Sequence, residues 1–235
     1  MKISRSLSLL SAAVVLALGA SGARADVSGT IAGIFNSPTP SNTTYTGVGT
    51  SQFTWGKKDG TPTPNILTFT PATPFSSPLE TAFKIGTLSY YNGTTESGTN
   101  PTAVNLQIGM DFIAPPAGLQ TFAFTLDLDS TNNTNNAVNS ADYVIFPSDY
   151  PSTEFLIGST EYTLKITGFE NVIGDGYLSS TDSGFHVEEG KTASADLYAE
   201  VTSDVTGVGS SVPEPASLAV LGLGAAGLLL RRKKA

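Results

Sequence analysis

The chain has no cysteine, and that one absence removes several kinds of chemistry at once. No disulfide framework, thiolate metal site, cysteine nucleophile or thioether lipid anchor can be built. Histidine is almost as scarce: His186 is the only one in 235 residues. A zinc centre needs His, Cys and carboxylate ligands, and His186-Val187-Glu188-Glu189 supplies at most one nitrogen, so this position reads as a surface or satisfied histidine. A Ser-His-Asp triad would have to use His186 as its base, yet no G-x-S-x-G elbow surrounds any serine. Cations are few once the two ends are set aside. Between Asp26 and Ser211 only Lys57, Lys58, Lys84, Lys165 and Lys191 face nineteen Asp and Glu, a net charge near −14 against −8 for the whole chain. Such an anionic body repels phosphate backbones and anionic lipid, which argues against nucleic acid as a partner and supports solubility or cation binding.

Both ends read as targeting segments. Lys2 and Arg5 form a positive start, Leu7 to Leu18 an apolar stretch, and Ala23-Arg24-Ala25 a small-x-small cleavage pattern. That order is a secretory signal peptide over residues 1–25, with the mature chain beginning at Asp26, or else an uncleaved anchor. The secretion machinery and signal peptidase are the implied partners. At the other end, Val212-Pro213-Glu214-Pro215 precedes an apolar run from Ala216 to Leu230 and a basic stop at Arg231, Arg232, Lys233 and Lys234. As a helix the run would be roughly 22 Å long, somewhat short of the usual span of about 20 residues. Four consecutive cations resist crossing a bilayer, so a membrane helix here leaves the chain before Pro213 outside the cytoplasm. The dinucleotide-like string Gly222-Leu223-Gly224-Ala225-Ala226-Gly227 belongs to this helix. No strand precedes it and no room for a βαβ unit follows.

This order and spacing resemble the PEP-CTERM sorting signal of bacteria. The resemblance implies an exported protein whose tail is read by exosortase, a membrane protease-transpeptidase, and whose destination is the cell envelope.

Residues 26–205 have the texture of a single all-β domain, with 206–211 as a small-residue linker to the tail at 212–235. Phe122, Phe124, Leu126 and Leu128 alternate with Thr125 and Asp127 on the opposite face. Similar alternation runs through Leu106, Ile108, Met110 and Phe112, through Tyr162, Leu164 and Ile166, and through Ala195, Leu197, Ala199 and Val201. Shorter strands are predicted at Val27–Ile31, Gln52–Trp55, Ile66–Thr70, Leu88–Tyr91, Tyr143–Phe146 and Gly184–Val187, with turn residues between them. Pro71, Pro74 and Pro78 cannot lie in a central strand and should flank an edge. Asp129 to Ala141, polar and Asn-rich, reads as a long exposed connection. Many short strands in this length predict two packed antiparallel sheets, a jelly-roll or Ig-like sandwich.

The succession Gly47-x-Gly49-Thr50-Ser51-x-Phe53-x-Trp55-Gly56, then Phe83 to Gly93, then Thr131-x-Asn133 ahead of Ser140-Ala141-Asp142, and finally Tyr162-Thr163-Leu164 leading into Gly168-Phe169, is similar to the choice-of-anchor K domain. That resemblance implies a bacterial surface domain coupled to a C-terminal anchor, and it transfers no catalytic set.

Three candidate sites remain. Asp127 and Asp129 share a strand face about 7 Å apart, near the separation of glycosidase carboxylates, although solvated acids on an outer face are the ordinary case. Asp127, Asp129, Asn132 and Asn133 could offer a hard cation such as calcium several oxygens from one loop, without the Gly and closing Glu of an EF-hand. Trp55, Tyr90 and Tyr91 are candidates for glycan contact, because amphipathic rings cover sugar faces while their polar edges stay wet. Trp55 shares a face with Phe53, which instead places it in the core, and Tyr90 and Tyr91 point to opposite sides. Function is expected to be a non-catalytic structural or binding module at the cell surface or in the extracellular matrix, with polysaccharide as a possible partner and no cofactor. The alternatives are a secreted carbohydrate-active hydrolase using paired carboxylates and a calcium-stabilised adhesive module.

Overall fold

The computed structural model describes residues 26–57, 63–146 and 152–203. Every regular element among them is a strand: β1 (Asp26–Thr39), β2 (Tyr45–Thr46), β3 (Gln52–Trp55), β4 (Asn65–Pro71), β5 (Phe75–Pro78), β6 (Phe83–Tyr91), β7 (Ala103–Ala114), β8 (Gly118–Asp129), β9 (Asp142–Ile145), β10 (Ser152–Ile157), β11 (Thr160–Ile173), β12 (Tyr177–Thr181), β13 (Gly184–Val187) and β14 (Thr192–Ser203). They form two seven-stranded sheets, ordered β12-β13-β9-β8-β7-β1-β5 and β10-β11-β14-β6-β4-β3-β2, which we call sheets A and B. All pairings are antiparallel.

The alternation read from the sequence is what packs the sheets together. Leu106, Ile108, Met110 and Phe112 of β7, Phe122, Phe124, Leu126 and Leu128 of β8, and Ala195, Leu197, Ala199 and Val201 of β14 all turn inward into one continuous core. Phenylalanine pairs bridge the sheets: Phe75 of β5 stacks on Phe83 of β6, Phe112 of β7 on Phe155 of β10, and Phe169 of β11 meets Phe185 of β13 edge-on, each with ring centres 5.2 to 5.3 Å apart. Aromatic pairs at this distance stabilise by about 0.5–1.5 kcal/mol beyond the area they bury. Phe69 of β4 is held from both sides by missing side chains. A Cβ on Gly33 of β1 would lie 2.3 Å from its Cδ1, and one on Gly86 of β6 would lie 2.3 Å from its Cε2. The two glycines make the slot that lets this ring sit between the sheets.

Pro74 and Pro78 flank an edge as expected, but Pro71 does not: it ends β4, which lies between β6 and β3 inside sheet B. β5, bracketed by Pro74 and closed by Pro78, is an edge of sheet A. Pro71 pairs with Gly86 beyond the point where β3 has ended, so its missing N–H leaves no ladder bond unmade. The signal segment with Ala23 and Ala25, the linker, the sorting motif and the basic stop lie outside the described residues; Asp26 is the first residue of β1, paired with Pro78.

Candidate functional site

Strand β8 delivers Asp127 and Asp129 to the solvent face of sheet A, because Leu126 and Leu128 between and before them turn inward. The loop that follows carries Asn132 and Asn133, and all four residues line one open cleft of about 860 Å³. The opposite wall is the segment after β6, including Thr95, Glu96 and Asn100. Asn133 ties the walls together by donating its Nδ2 hydrogen to the Thr95 carbonyl at 2.7 Å. The far wall is stiffened by Lys57, whose Nζ reaches Glu96 at 2.9 Å and whose amide donates to Thr99 Oγ1 at 2.9 Å. Burial, and then the neighbouring charge of Asp129, raise Asp127 above the usual carboxylate range. Among the described residues no group of three or more His, Cys, Asp or Glu side chains is arranged to hold a metal, so a cation here would depend on the asparagine and backbone oxygens.

Behind the cleft lies a polar cluster that the sequence did not announce. Asp142, at the start of β9, faces inward and is only 5% exposed. Its Oδ1 accepts from the Thr131 amide at 2.7 Å and its Oδ2 from the Tyr90 hydroxyl at 3.2 Å. The same hydroxyl lies 3.2 Å from Asn65 Oδ1 and 3.4 Å from Asn92 Oδ1. One phenolic proton therefore serves three acceptors, whereas a protonated Asp142 could itself donate and release that proton to an asparagine. Burial lifts Asp142 to about 6, with the bonds from Thr131, Tyr90 and Ser130 opposing the rise. Burial, and then the charge of Asp142, push Tyr90 well above the ordinary phenol value. Asn92 completes the clasp by donating to the carbonyls of Ser140 at 3.2 Å and Val187 at 2.9 Å. Tyr90 and Asn65 belong to sheet B and Asp142 to sheet A, so the cluster ties the sheets to each other and to the Thr131 loop. The Asn-rich connection is exposed, as read, but anchored at both ends: Ser140 Oγ accepts from the Thr134 amide at 2.7 Å.

The aromatic candidates separate sharply. Trp55 and Tyr90 are each 1% exposed and stack on one another at 5.4 Å and 5°, so the glycan-contact assignment is corrected for both. Phe53 also stacks on Trp55 at 5.4 Å, which makes this the core ladder that the shared strand face implied. Tyr91 is half-buried on the outer face of sheet B, remote in the fold from the acidic pair on sheet A. His186 is half-buried and does have a partner: it stacks on Tyr143 with ring centres 3.8 Å apart and planes within 5°. Sequence reasoning passed over Tyr143. The only clue to it was its outward phase in the short strand Tyr143–Phe146, which pairs with Gly184–Val187.

Residues 211–233 match the PEP-CTERM protein-sorting motif. That match marks the protein as exported and sorted to the envelope, with exosortase as the processing partner of its C-terminal signal. No curated protein matches the chain. What fold and comparison together define is therefore a class: an all-β, two-sheet body joined to an envelope-sorting tail.

Proposed function

We propose that this protein works outside the inner membrane as a non-catalytic structural or binding module of the cell surface or extracellular matrix. In this reading the leader is removed after Ala25, the two-sheet body is a choice-of-anchor K-like domain of the jelly-roll or Ig-like kind, and the Ala216–Leu230 helix holds it at the membrane at least transiently. The observation that carries the proposal is the sorting motif at 211–233, joined to a body whose net charge is near −14. Deleting Val212–Ala235 in the native host should release the protein into the medium. Unchanged surface retention of the truncated protein would overturn the reading.

A second reading, a calcium-stabilised adhesive module, is favoured by Asp127, Asp129, Asn132 and Asn133 lining a single cleft. A ligand that binds only the folded state raises apparent stability by mass action, so EDTA should lower Tm if calcium is held. An unmoved Tm excludes it. The same acidic pair also gives the hydrolase alternative its test: polysaccharide turnover that disappears in Asp127→Asn would replace the non-catalytic reading.

A further inference from the structure

The two ends of the sandwich differ, and the chain leaves the body by one of them. Strand β14 finishes at Ser203, opposite Tyr162 near the start of β11, and the Val201 carbonyl accepts from the Glu80 amide in the β5–β6 turn at 2.9 Å. The β10–β11 turn, the β7–β8 turn and the start of β1 lie at this same end, since Ile157 pairs with Thr160, Phe112 with Gly118 and Ser28 with Ala114. Phe112 stacks on Phe155 and so joins the two hairpins across the sheets just beneath their turns. The acidic cleft and the ion pairs Lys57–Glu96 and Lys191–Glu188 are at the opposite end, where Asp142 meets Tyr90.

At the exit end the hairpins are apolar where turns are ordinarily polar. Phe112-Ile113-Ala114-Pro115-Pro116-Ala117-Gly118-Leu119 runs through the β7–β8 turn without one polar side chain, and Phe155-Leu156-Ile157 leads into the β10–β11 turn. Phe112 and Phe155 are the buried members of these runs. Ile113, Leu119 and Leu156 turn outward and are 66%, 68% and 65% exposed, with Ala114 and Pro116 exposed beside them. Val138, Ile173 and Tyr177 are also exposed at the far end, but they stand among Asn136, Asn139 and Asp175. Contiguous exposed apolar surface on a soluble body marks a contact site.

What covers this end follows from where the chain goes. Thirteen residues lead from Ser203 to Ala216, the start of the apolar run, and reach at most about 45 Å when fully extended. A tail held in a bilayer therefore tethers the body by this end and not by the cleft. Such a tether gives an effective concentration on the order of millimolar, so a weak apolar contact is enough to seat the body. Asp111 faces Leu119 and Glu161 faces Leu156 across their ladders. These carboxylates keep the contact at headgroup depth and favour a zwitterionic surface over an anionic one.

We propose that the β7–β8 and β10–β11 turns seat this end of the sandwich on the outer surface of the bilayer that holds the tail. Ile113, Leu119 and Leu156 then lie in the headgroup region, and the acidic cleft is directed away from the membrane. The proposal rests on the membrane-held tail of the preceding reading and adds how the body is oriented upon it.

Because the chain has no cysteine, single labels can be placed cleanly. Protein purified with its tail intact is reconstituted into phosphatidylcholine vesicles, with an environment-sensitive fluorophore on Pro116→Cys, Ser159→Cys, Ser97→Cys or Ala226→Cys. Labels at 116 and 159 should shift to the blue, gain roughly twofold in emission and be quenched by a headgroup spin label. The label at 97, in the cleft wall, should stay aqueous. Admixing phosphatidylglycerol should weaken the shift. Leu119→Ser combined with Leu156→Ser, both exposed changes, should remove most of it with Tm unmoved. Aqueous labels at 116 and 159 overturn the proposal: alone if the label at 226 is lipid-buried, and together with the tail reading if 226 is aqueous too. A shift that survives the double substitution overturns it as well. So does one that appears in lipid-free detergent and grows with protein concentration, which would assign the apolar end to a second copy of the chain.

Discussion

The two sheets carry equal numbers of carboxylates on their strands but treat them differently. Sheet A holds Asp26, Asp111, Asp127, Asp129 and Asp142, and its strands have no cation. Sheet B holds Glu154, Glu161, Glu170, Asp196 and Glu200, and places Lys84 and Lys165 among them. Lys84 Nζ lies 2.7 Å from Asp196 Oδ1, Thr87 donates to the same oxygen at 2.9 Å, and Lys165 stands opposite Glu200 in register. Burial would raise Asp196, but Lys84, Thr87 and Asn171 hold it below the ordinary range. Burial raises Asp142 and Asp127, and among the described residues no cation comes to lower them. A sheet that neutralises its own charges is a finished surface. Sheet A instead keeps its acids either solvated, as Asp129 is, or held by neutral donors, as Asp142 is by Thr131 and Tyr90.

The largest expected effect breaks what the sheets have in common. Phe69→Ala empties the slot between Gly33 and Gly86 and should destabilise by about 3–5 kcal/mol, read as a lower urea midpoint. Less severe, and specific to sheet A, is the pH response of Asp142. Its folded-state value of about 6 lies above the ordinary carboxylate value of 3.8, so the native state binds this proton more tightly than the unfolded chain does. Stability should therefore rise as pH falls from above 6 towards 4, by about 2–3 kcal/mol at roughly 1.4 kcal/mol per pKa unit. Asp142→Asn should flatten that part of the pH profile and be more stable than wild type at pH 7; urea titrations from pH 4.5 to 7.5 check both. Asp196 has the opposite sign: its contribution is present above the ordinary carboxylate range and is lost as acid takes the pH below it.

Smaller effects come from exchanging the charge character of the two faces. Thr125→Lys places a cation on the exposed face of β8, two residues from Asp127, so that sheet A imitates sheet B. The added cation should lower the raised Asp127 value, read by NMR titration of its carboxyl carbon, with Tm unmoved. Lys84→Gln makes the converse change and should cost only about 0.2–1 kcal/mol, because the ion pair is partly solvated. Its effect should shrink further at high salt.

Sequence reading found ten of the strands, and the four it missed have a common cause. β2, β5, β10 and β12 are the two edges of each sheet. An edge strand has one neighbour and wets both faces near its rim, so it need not alternate; the exposed run Tyr177–Thr181 and the outward Leu156 beside Phe155 illustrate this. The acidic cleft was legible in part, because Asp127, Asp129, Asn132 and Asn133 are close in the chain. Its far wall at Thr95–Asn100 was not, being some thirty residues distant and joined only through folding. Trp55 and Tyr90 were ambiguous, since an amphipathic ring suits both a core and a sugar. The answer came from their stacking on each other between the sheets.

Local chemistry was enough to determine the all-β class, the inward faces of the long strands, the edge position of Pro74 and Pro78 and the sorting tail. These depend on side-chain alternation, backbone donors and the order of residues along a short segment. Tertiary structure alone decided that Asp142 faces inward under a tyrosine from the other sheet, that Tyr143 stacks on His186, and that one sheet is left without cations. Those outcomes depend on which strands become neighbours, and neighbouring strands here are separated by up to about a hundred residues of chain.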